Sequence, residues 1–521
     1  MHAAIGKIWQ SERSFVFAGG THFNAPKYTR VMRWFSKKTD MQSIYDACMK
    51  KGKRHSVSAT TVSMALDSPF SIYCKYHVDP SKKDPPDSFQ QLLADMGVEH
   101  EAEVIETEYP GIEKVSYKTP EEGFMGALQS MTAGTEAIVG LPIYYMPEGM
   151  WGYPDLLEIC EGKSVFGSHH YTVREIKLAK NISEQHVIQA AFYAMILGRI
   201  QRRKPEYVRI TNGMEETFEY SYKDYESLLA ECIRQVDRIY GGWMPPAVYG
   251  TAPAPWSNYC NKVAIQKDDV SLIPGVGRSR HTKLVNAGLH TVQDVASSSM
   301  ERLQRIDGIG VKRSSDYTKA ARAIKSGKCV RKDHPVDLPE RTTEIFVDLE
   351  GFSENFDDKF TDYLIGVIVR RDGVEVYHPF VAEDGEEDVM LERFLNFVDL
   401  QEDYVIYHWH NYERNHLRSM MDRYQLGRFH ILRPSIMIDL YKVAIKAFAF
   451  PTYSNSIKDI AKWMGFSWQH ADVGATSAMG MYLEYITDPV AGRQGMGKVI
   501  DYNRDDCTAT RLIKDWLVKH G

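Results

Sequence analysis

Disulfide chemistry has little to work with here: the 521-residue chain holds seven cysteines, at positions 48, 74, 160, 232, 260, 329 and 507. They are odd in number and scattered, and none forms a C-x-x-C pair. That argues against a disulfide framework and for a reducing cytoplasm. Metal sites built on cysteine need clustered ligands, so zinc and iron–sulfur sites are not expected. Long apolar runs are also missing. The longest, Ala190 to Leu197, falls far short of a membrane span. The opening Met1-His2-Ala3-Ala4-Ile5-Gly6-Lys7 lacks the apolar core of a secretory signal. No solenoid-type period is found. What is present, 43% hydrophobic and 25% charged residues, is the composition of a soluble globular protein, and the length predicts about three domains.

The net charge of −6 by itself speaks against a nucleic-acid partner. Its distribution reverses that. From Ile273 to Lys332 there are thirteen Lys/Arg against four Asp/Glu, a local balance of +9, which leaves −15 for the rest of the chain. A basic middle between two acidic blocks suits a grip on phosphates flanked by metal-binding carboxylates.

The composition shifts predict an α/β multidomain chain. Residues 1–50 carry no motif and are left unassigned. Residues 51–245 mix strand and helix signals and end in the Gly/Pro-rich linker Gly241 to Pro255. Residues 265–332 are basic and helical. Asp333 to Pro339 reads as a second linker, and residues 342–521 as an α/β block.

In the first block, Gly152 to Ile159 alternates like a strand, Glu161-Gly162-Lys163 reads as a turn, and Tyr171 to Lys177 as the next strand. Residues two apart on a strand share a face, so Glu175 and Lys177 point the same way. Asp155 and Glu175 are then placed to hold a divalent metal, and Lys177 to orient or activate the attacking water. In the following helix, Glu184 to Ile200, Gln189 and Tyr193 are one turn apart and face the same side. His100, in Gly97-Val98-Glu99-His100-Glu101, is a further candidate ligand. The order His100, P-D at 154–155, E-x-K at 175–177 and Q-x-x-x-Y at 189–193 resembles the RecB-like branch of the PD-(D/E)XK nucleases, including its CRISPR-associated exonucleases. The resemblance implies a restriction-endonuclease-like α/β core in which the matching residues bind metal, catalyse cleavage and contact DNA. Many members hold an iron–sulfur cluster on four cysteines. Cys74 resembles the first of these, but the later group is missing, so no cluster is expected.

In the basic middle, Leu272-Ile273-Pro274-Gly275-Val276-Gly277 and Ile306-Asp307-Gly308-Ile309-Gly310 repeat a hydrophobic-x-Gly-x-Gly pattern. Such glycines make a tight turn that exposes backbone N–H groups at a helix start, where a phosphate can bind without its base being read. Arg278, Arg280, Lys312 and Arg313 follow the turns and are placed to neutralise phosphates. Two copies about thirty residues apart resemble a tandem helix-hairpin-helix module, which implies DNA binding without sequence preference.

In the last block, Ile345, Val347 and Leu349 share one strand face, while Phe346, Asp348 and Glu350 share the other. Two carboxylates side by side on a core-like strand repel unless a cation lies between them. Near the end, Ala509, Leu512, Ile513, Trp516 and Leu517 form an apolar helical stripe on which Asp506 also sits, with Tyr502 one turn earlier. A charge there needs a partner, and a metal supplies one. Glu413 is the expected third acid. Asp439 reads as a helix cap or as a residue behind the ligands rather than a ligand itself, and Asp501 and Asp505 as solvated.

This block resembles the RNase H-like exonucleases with a D-E-D-D set and a tyrosine in the last motif. Asp348 and Glu350 match the first motif, Glu413 the second, in place of the usual Asp, and Tyr502 with Asp506 the third. The resemblance implies two Mg²⁺ or Mn²⁺ ions, cleavage from the 3′ end, and a tyrosine that orients water. Phe450 to Ala461 and Tyr502 to Cys507 are similar to a prokaryotic group that fuses both nuclease types. The expectation is a metal-dependent DNA nuclease acting on single strands, duplex ends or flaps in repair, recombination or defence, with no membrane partner. An RNA-decay exonuclease and a non-catalytic DNA-binding scaffold remain the alternatives.

Overall fold

A computed structural model describes residues 41–521 apart from Lys53, Asp87, Glu113, residues 354–359 and Ala471. The unassigned segment therefore lies outside the described residues as far as position 40. Its last part is not featureless: helix α1 (Met41–Met49) buries Ile44 and Cys48 in the first core.

Five strands form the first sheet: β1 (Ala137–Val139), β2 (Leu156–Ser164), β3 (Gly167–Ile176), β4 (Tyr207–Thr211) and β5 (Thr217–Ser221), in that spatial order. Strands β3 and β4 are parallel, the other pairs antiparallel. A parallel pair needs a crossover, and helix α3 (Glu184–Gln201), packed against helix α2 (Ala59–Asp67), provides it, with Ser183 as its N-cap. Its Ala, Ile, Leu and Phe residues are buried nearly all round, as suits a helix enclosed in a core. The turn expected at Glu161–Lys163 lies later. The strand continues to Ser164 through a register shift, with Gly162 at φ +138° inside it, and Val165 and Phe166 form the turn. Gly162 marks a strand irregularity rather than the hairpin end.

The basic middle is helical: α4 (Arg278–Asn286), α5 (Val292–Ser297), α6 (Met300–Gln304) and α7 (Val311–Ser326). They close over a small core that includes Leu272, Val276, Leu284, Val295, Leu303 and Ile309. Val276 and Ile309, the apolar residues between the paired glycines, are both buried and anchor the two turns.

Beyond strand β6 (Val330–Arg331), five strands build the last sheet: β7 (Thr343–Ser353), β8 (Phe360–Arg371), β9 (Val374–Val381), β10 (Tyr404–His408) and β11 (Met437–Asp439), in the spatial order β9-β8-β7-β10-β11. Strand β7 runs antiparallel to β8 and parallel to β10. The alternation seen in the sequence separates two cores: Ile345, Val347 and Leu349 enter one, Phe346 the other. Helices cover both faces, so neither strand face is solvated. Strand β12 (Phe448–Ala449) pairs antiparallel with β6 and ties the helical module to this block. The final helix, α8 (Arg493–His520), lies across β7 and β8. No described helix is long and apolar enough to cross a membrane.

Candidate catalytic and nucleic-acid sites

The C-terminal site follows from strand register and helix pitch. Asp348 and Glu350 stand two apart on β7, and Asp506 faces them from α8. The three carboxylates can each offer an oxygen within 4.8 Å of the others, the one such group of potential metal ligands among the described residues. Glu350 and Asp506 are buried and Asp348 is partly so, and the acidities of all three show the cost of that. Burial, then Asp506, pushes Glu350 up to about 8. Burial pushes Asp506 up to about 6, against the pull of Lys458, Trp468 and Tyr502. Asp348 is raised well above the ordinary carboxylate range by burial, then by Asp506 and Glu350. Three acids that repel one another in a low-dielectric pocket with oxygens converging make a set of donors suited to hard divalent cations.

Surrounding groups fix these acids in place. Trp468 Nε1 donates to Asp506 Oδ1 at 2.9 Å, and the Tyr502 hydroxyl bonds the same carboxylate. Asn503, fully buried on α8, donates from Nδ2 to Asp348 Oδ2 at 2.8 Å, while its Oδ1 accepts from the Tyr377 hydroxyl at 2.9 Å. Sequence reasoning missed Asn503, Trp468 and Lys458. Asn503 alone left a signal, a polar residue one position from Tyr502 on the helix that also carries Asp506.

Glu413 does not join the three-acid group. It is buried at the start of a helix, Tyr412–Arg423, and pairs with His408 Nδ1 at 3.2 Å. Its charge nevertheless reaches Asp348 and Glu350 and raises both. Asp439 caps the helix Leu440–Ala447, accepting from the backbone N–H of Lys442. Asp501 is half-exposed and paired with Arg504. Asp505 is not solvated: it is 5% exposed and accepts from the backbone N–H of Gln469 at 2.6 Å. A loop distant in sequence covers it.

In the N-terminal unit, Asp155 immediately precedes β2 and Glu175 lies near the end of β3. The register that pairs Leu156 with Arg174 makes them neighbours. Lys177 Nζ lies 2.7 Å from Glu175 Oε2 and 3.4 Å from Asp155 Oδ2. Asp155 Oδ2 also accepts from the Ile176 N–H. Glu175 is fully buried, and burial followed by Asp155 pushes it up to about 8. Burial pulls the Lys177 ammonium down, but Glu175 and Asp155 together hold it above its ordinary value. Tyr193 is raised by burial and Glu175 and is hydrogen-bonded by Gln189, so the two helical residues meet at this site. His100 Nε2 lies 3.3 Å from the Asn212 carbonyl oxygen. Its neighbour Glu101, on the helix Ser88–Glu108, has a carboxyl raised by burial and then by Asp155, against the pull of Lys177. Beside the site lies an aromatic shelf. The Tyr144 and Trp151 rings stack at 6.4 Å, Trp151 meets Tyr153 edge-on at 6.0 Å, and Tyr153 and Tyr117 are 37% and 38% exposed. Cys74 sits with Cys260 in a small apolar cluster apart from this site.

The two helical hairpins repeat each other closely. Gly275 and Gly308 hold φ values of +86° and +78°, and Gly277 and Gly310 are the N-caps of α4 and α7. All four glycines are exposed. Arg280 Nη1 donates to the Gly275 carbonyl and Arg313 Nη1 to the Gly308 carbonyl, both at 2.8 Å. Each guanidinium is thereby held beside its own turn. Lys312 is exposed next to Gly310 and Arg313. Arg278 reaches inward, donating to the Thr251 carbonyl at 2.6 Å with Asp67 at 4.0 Å.

Residues 345–518 match the family model of the RNase H superfamily, and residues 268–322 that of the SAM-like helix-hairpin-helix tandem. No curated protein matches the chain. The chain is therefore an α/β multidomain protein with an RNase H-like domain and a helix-hairpin-helix module, a pairing that indicates a nuclease acting on nucleic acids.

Proposed function

We propose that this chain is a metal-dependent DNA nuclease with two hydrolytic sites and a sequence-independent grip between them. The observation that carries the reading is the convergence of Asp348, Glu350 and Asp506 with Tyr502 hydrogen-bonded to the last of them. Asp348, Glu350 and Asp506 would hold Mg²⁺ or Mn²⁺, and Glu413 would act on them from behind. Bound divalent ions supply a nucleophilic water at neutral pH and charge stabilisation for the departing oxygen. The protein's own part is to fix the carboxylates through Asn503 and Trp468 and to keep a phenol, Tyr502, where it can orient water. The RNase H-like domain is read as a 3′→5′ exonuclease of the tyrosine type.

The N-terminal unit is read as a RecB-like PD-(D/E)XK nuclease. Asp155 and Glu175 would bind the metal, Lys177 would orient the water, and Gln189 and Tyr193 would contact the substrate backbone. The paired hairpins, with Gly275, Gly277, Gly308 and Gly310 offering backbone N–H groups and Arg280, Lys312 and Arg313 offering charge, would hold phosphates. The aromatic shelf supports single-stranded substrate, because every unpaired base has a face that stacks on a ring. Tyr153→Ala is expected to weaken binding of a single-stranded oligonucleotide by about fivefold, the loss of one stacked base, and to leave duplex binding unchanged. Fluorescence anisotropy in Ca²⁺ measures both.

The reading is tested with a 5′-labelled single-stranded DNA oligonucleotide and Mn²⁺, comparing wild type, Lys177→Ala and Asp506→Ala. Asp506→Ala should remove the ladder that shortens from the 3′ end, and Lys177→Ala the remaining cleavage, each by at least about a hundredfold. Cleavage untouched by either substitution would overturn it. A ribo-oligonucleotide of the same sequence degraded in preference to DNA would move the substrate to RNA.

A further inference from the structure

The geometry points to Lys458 as the residue that receives a non-bridging oxygen of the phosphate being cut at the C-terminal site, an assignment that rests on the nuclease reading above. Lys458 lies in the first turn of the helix Ile457–Trp463, on the segment that closes over α8. Its ammonium stands 4.7 Å from the centroid of the Tyr502 ring. Its charge reaches Asp348, Glu350 and Asp506 alike. Yet it forms no ion pair within 4.0 Å and no hydrogen bond with a described residue.

Two other lysines of this domain that lie beside acids are paired with them. Lys514 pairs with Glu344, and Lys442 with Asp439 at 3.1 Å. Lys458 acts on the charge of three acids and forms no such pair. The acidic neighbour on its own helix is already engaged: Asp459 accepts from the Ser454 hydroxyl at 2.5 Å, and its N–H donates to Ser456 Oγ. These bonds fix the loop and leave the ammonium directed over the Tyr502 ring. A cation held at the edge of the carboxylates, and not pressed against them, leaves room for an anion between.

The charge balance of hydrolysis calls for such a group. Water adds to phosphorus and loses its proton to solvent. The bond from phosphorus to the 3′ oxygen of the preceding nucleotide breaks, and that oxygen takes up a proton. The phosphodiester arrives with one negative charge and carries a second in the transition state. Three carboxylates repel that charge. Lys458 keeps its proton throughout and offsets it, with no covalent part in the step.

The test uses the full chain and removal of the 3′-terminal nucleotide. Lys458→Met is expected to lower kcat by about a hundredfold, the cost of one charge-stabilising donor, with KM nearly unchanged, and Lys458→Arg to recover part of it. Calorimetric titration of Mn²⁺ into Lys458→Met without nucleic acid should show affinity equal to or tighter than wild type. A phosphorothioate at the terminal linkage should slow wild type in one configuration, and Lys458→Met should lose that preference. If Lys458→Met stays within about threefold of wild type in kcat, or weakens Mn²⁺ binding, or keeps the full stereochemical preference, Lys458 does not hold the phosphate. If wild type removes no 3′ nucleotide at all, the nuclease reading falls and this assignment with it.

Discussion

Asp348→Asn will abolish the 3′-directed activity, by about a thousandfold or more, and will at the same time make the metal-free protein more heat-resistant above neutral pH. Both effects come from one carboxylate. Removing it takes a ligand from the group within 4.8 Å and a charge from a repelling set. The pH dependence has a definite sign. Glu350 and Asp506 are raised in the folded protein to about 8 and about 6, so folding favours their protonated forms. Their contribution to stability is complete below the ordinary carboxylate range and is lost as pH rises through about 6 and on through about 8. Metal-free wild type should therefore melt lower at pH 8 than at pH 5.5 on their account. Asp348→Asn should flatten that loss, with a gain on the order of 2–4 °C for each kcal/mol relieved. Divalent metal should restore wild type and leave the variant unmoved. Scanning calorimetry with and without Mn²⁺ at the two pH values decides it. A metal-free variant less stable than wild type at pH 8 would mean that the acids are structurally paired rather than held apart for a cation.

The second large effect is expected at Gly366. It lies opposite Asp348 in the β7–β8 register, and Asn503 rests directly on it. A Cβ there would fall 1.6 Å from Asn503 Oδ1 and 2.8 Å from the Tyr377 hydroxyl. No rotamer adjustment absorbs such an overlap while Asn503 stays hydrogen-bonded to Asp348. Gly366→Ala should cost about 3 kcal/mol and abolish 3′-directed activity without touching any acid. Combining it with Asn503→Ala removes the larger clash, so part of the stability should return while the activity does not, because Asp348 has then lost its anchor. Purely additive stability losses in that double mutant would show that the two residues do not meet.

Asp348 and Glu350 were legible in the sequence because a strand has a fixed period of two and their neighbours are all apolar. Tyr502 and Asp506 were legible because a charge on an apolar helical stripe breaks a pattern. The reach of Glu175 to Lys177 followed from the same strand rule, confirmed in geometry by the 2.7 Å contact. Lys458 and Trp468 were not legible as site residues. They reach the site only through chain topology, from a segment 25 to 35 residues before α8, and nothing in their local patterns marks them. Asp505 was misread for the same reason: the helix alone gives its direction, and the Gln469 loop that covers it comes from elsewhere. Glu413 followed its motif, but the sequence could not reveal His408 beside it. The hairpins were read well because their positive-φ glycines are a local requirement. Arg278 was read as a phosphate ligand because adjacency to a turn does not disclose a carbonyl 27 residues upstream.

Strand β12 pairs with β6 through two residues on each side, Phe448 with Arg331 and Ala449 with Val330. Lys332 extends the contact, donating to the carbonyl oxygens of Ala447 and Ile445. This short ladder joins the end of the helical module to the block that carries the acids. On the proposed function, the freedom of the clamp relative to the cutting site is surrendered once, when the chain folds, and not again at each encounter with a strand. A nucleic acid that engages the hairpins then meets a reaction centre whose distance is already set, so binding energy gained on the backbone is free to act on the scissile bond.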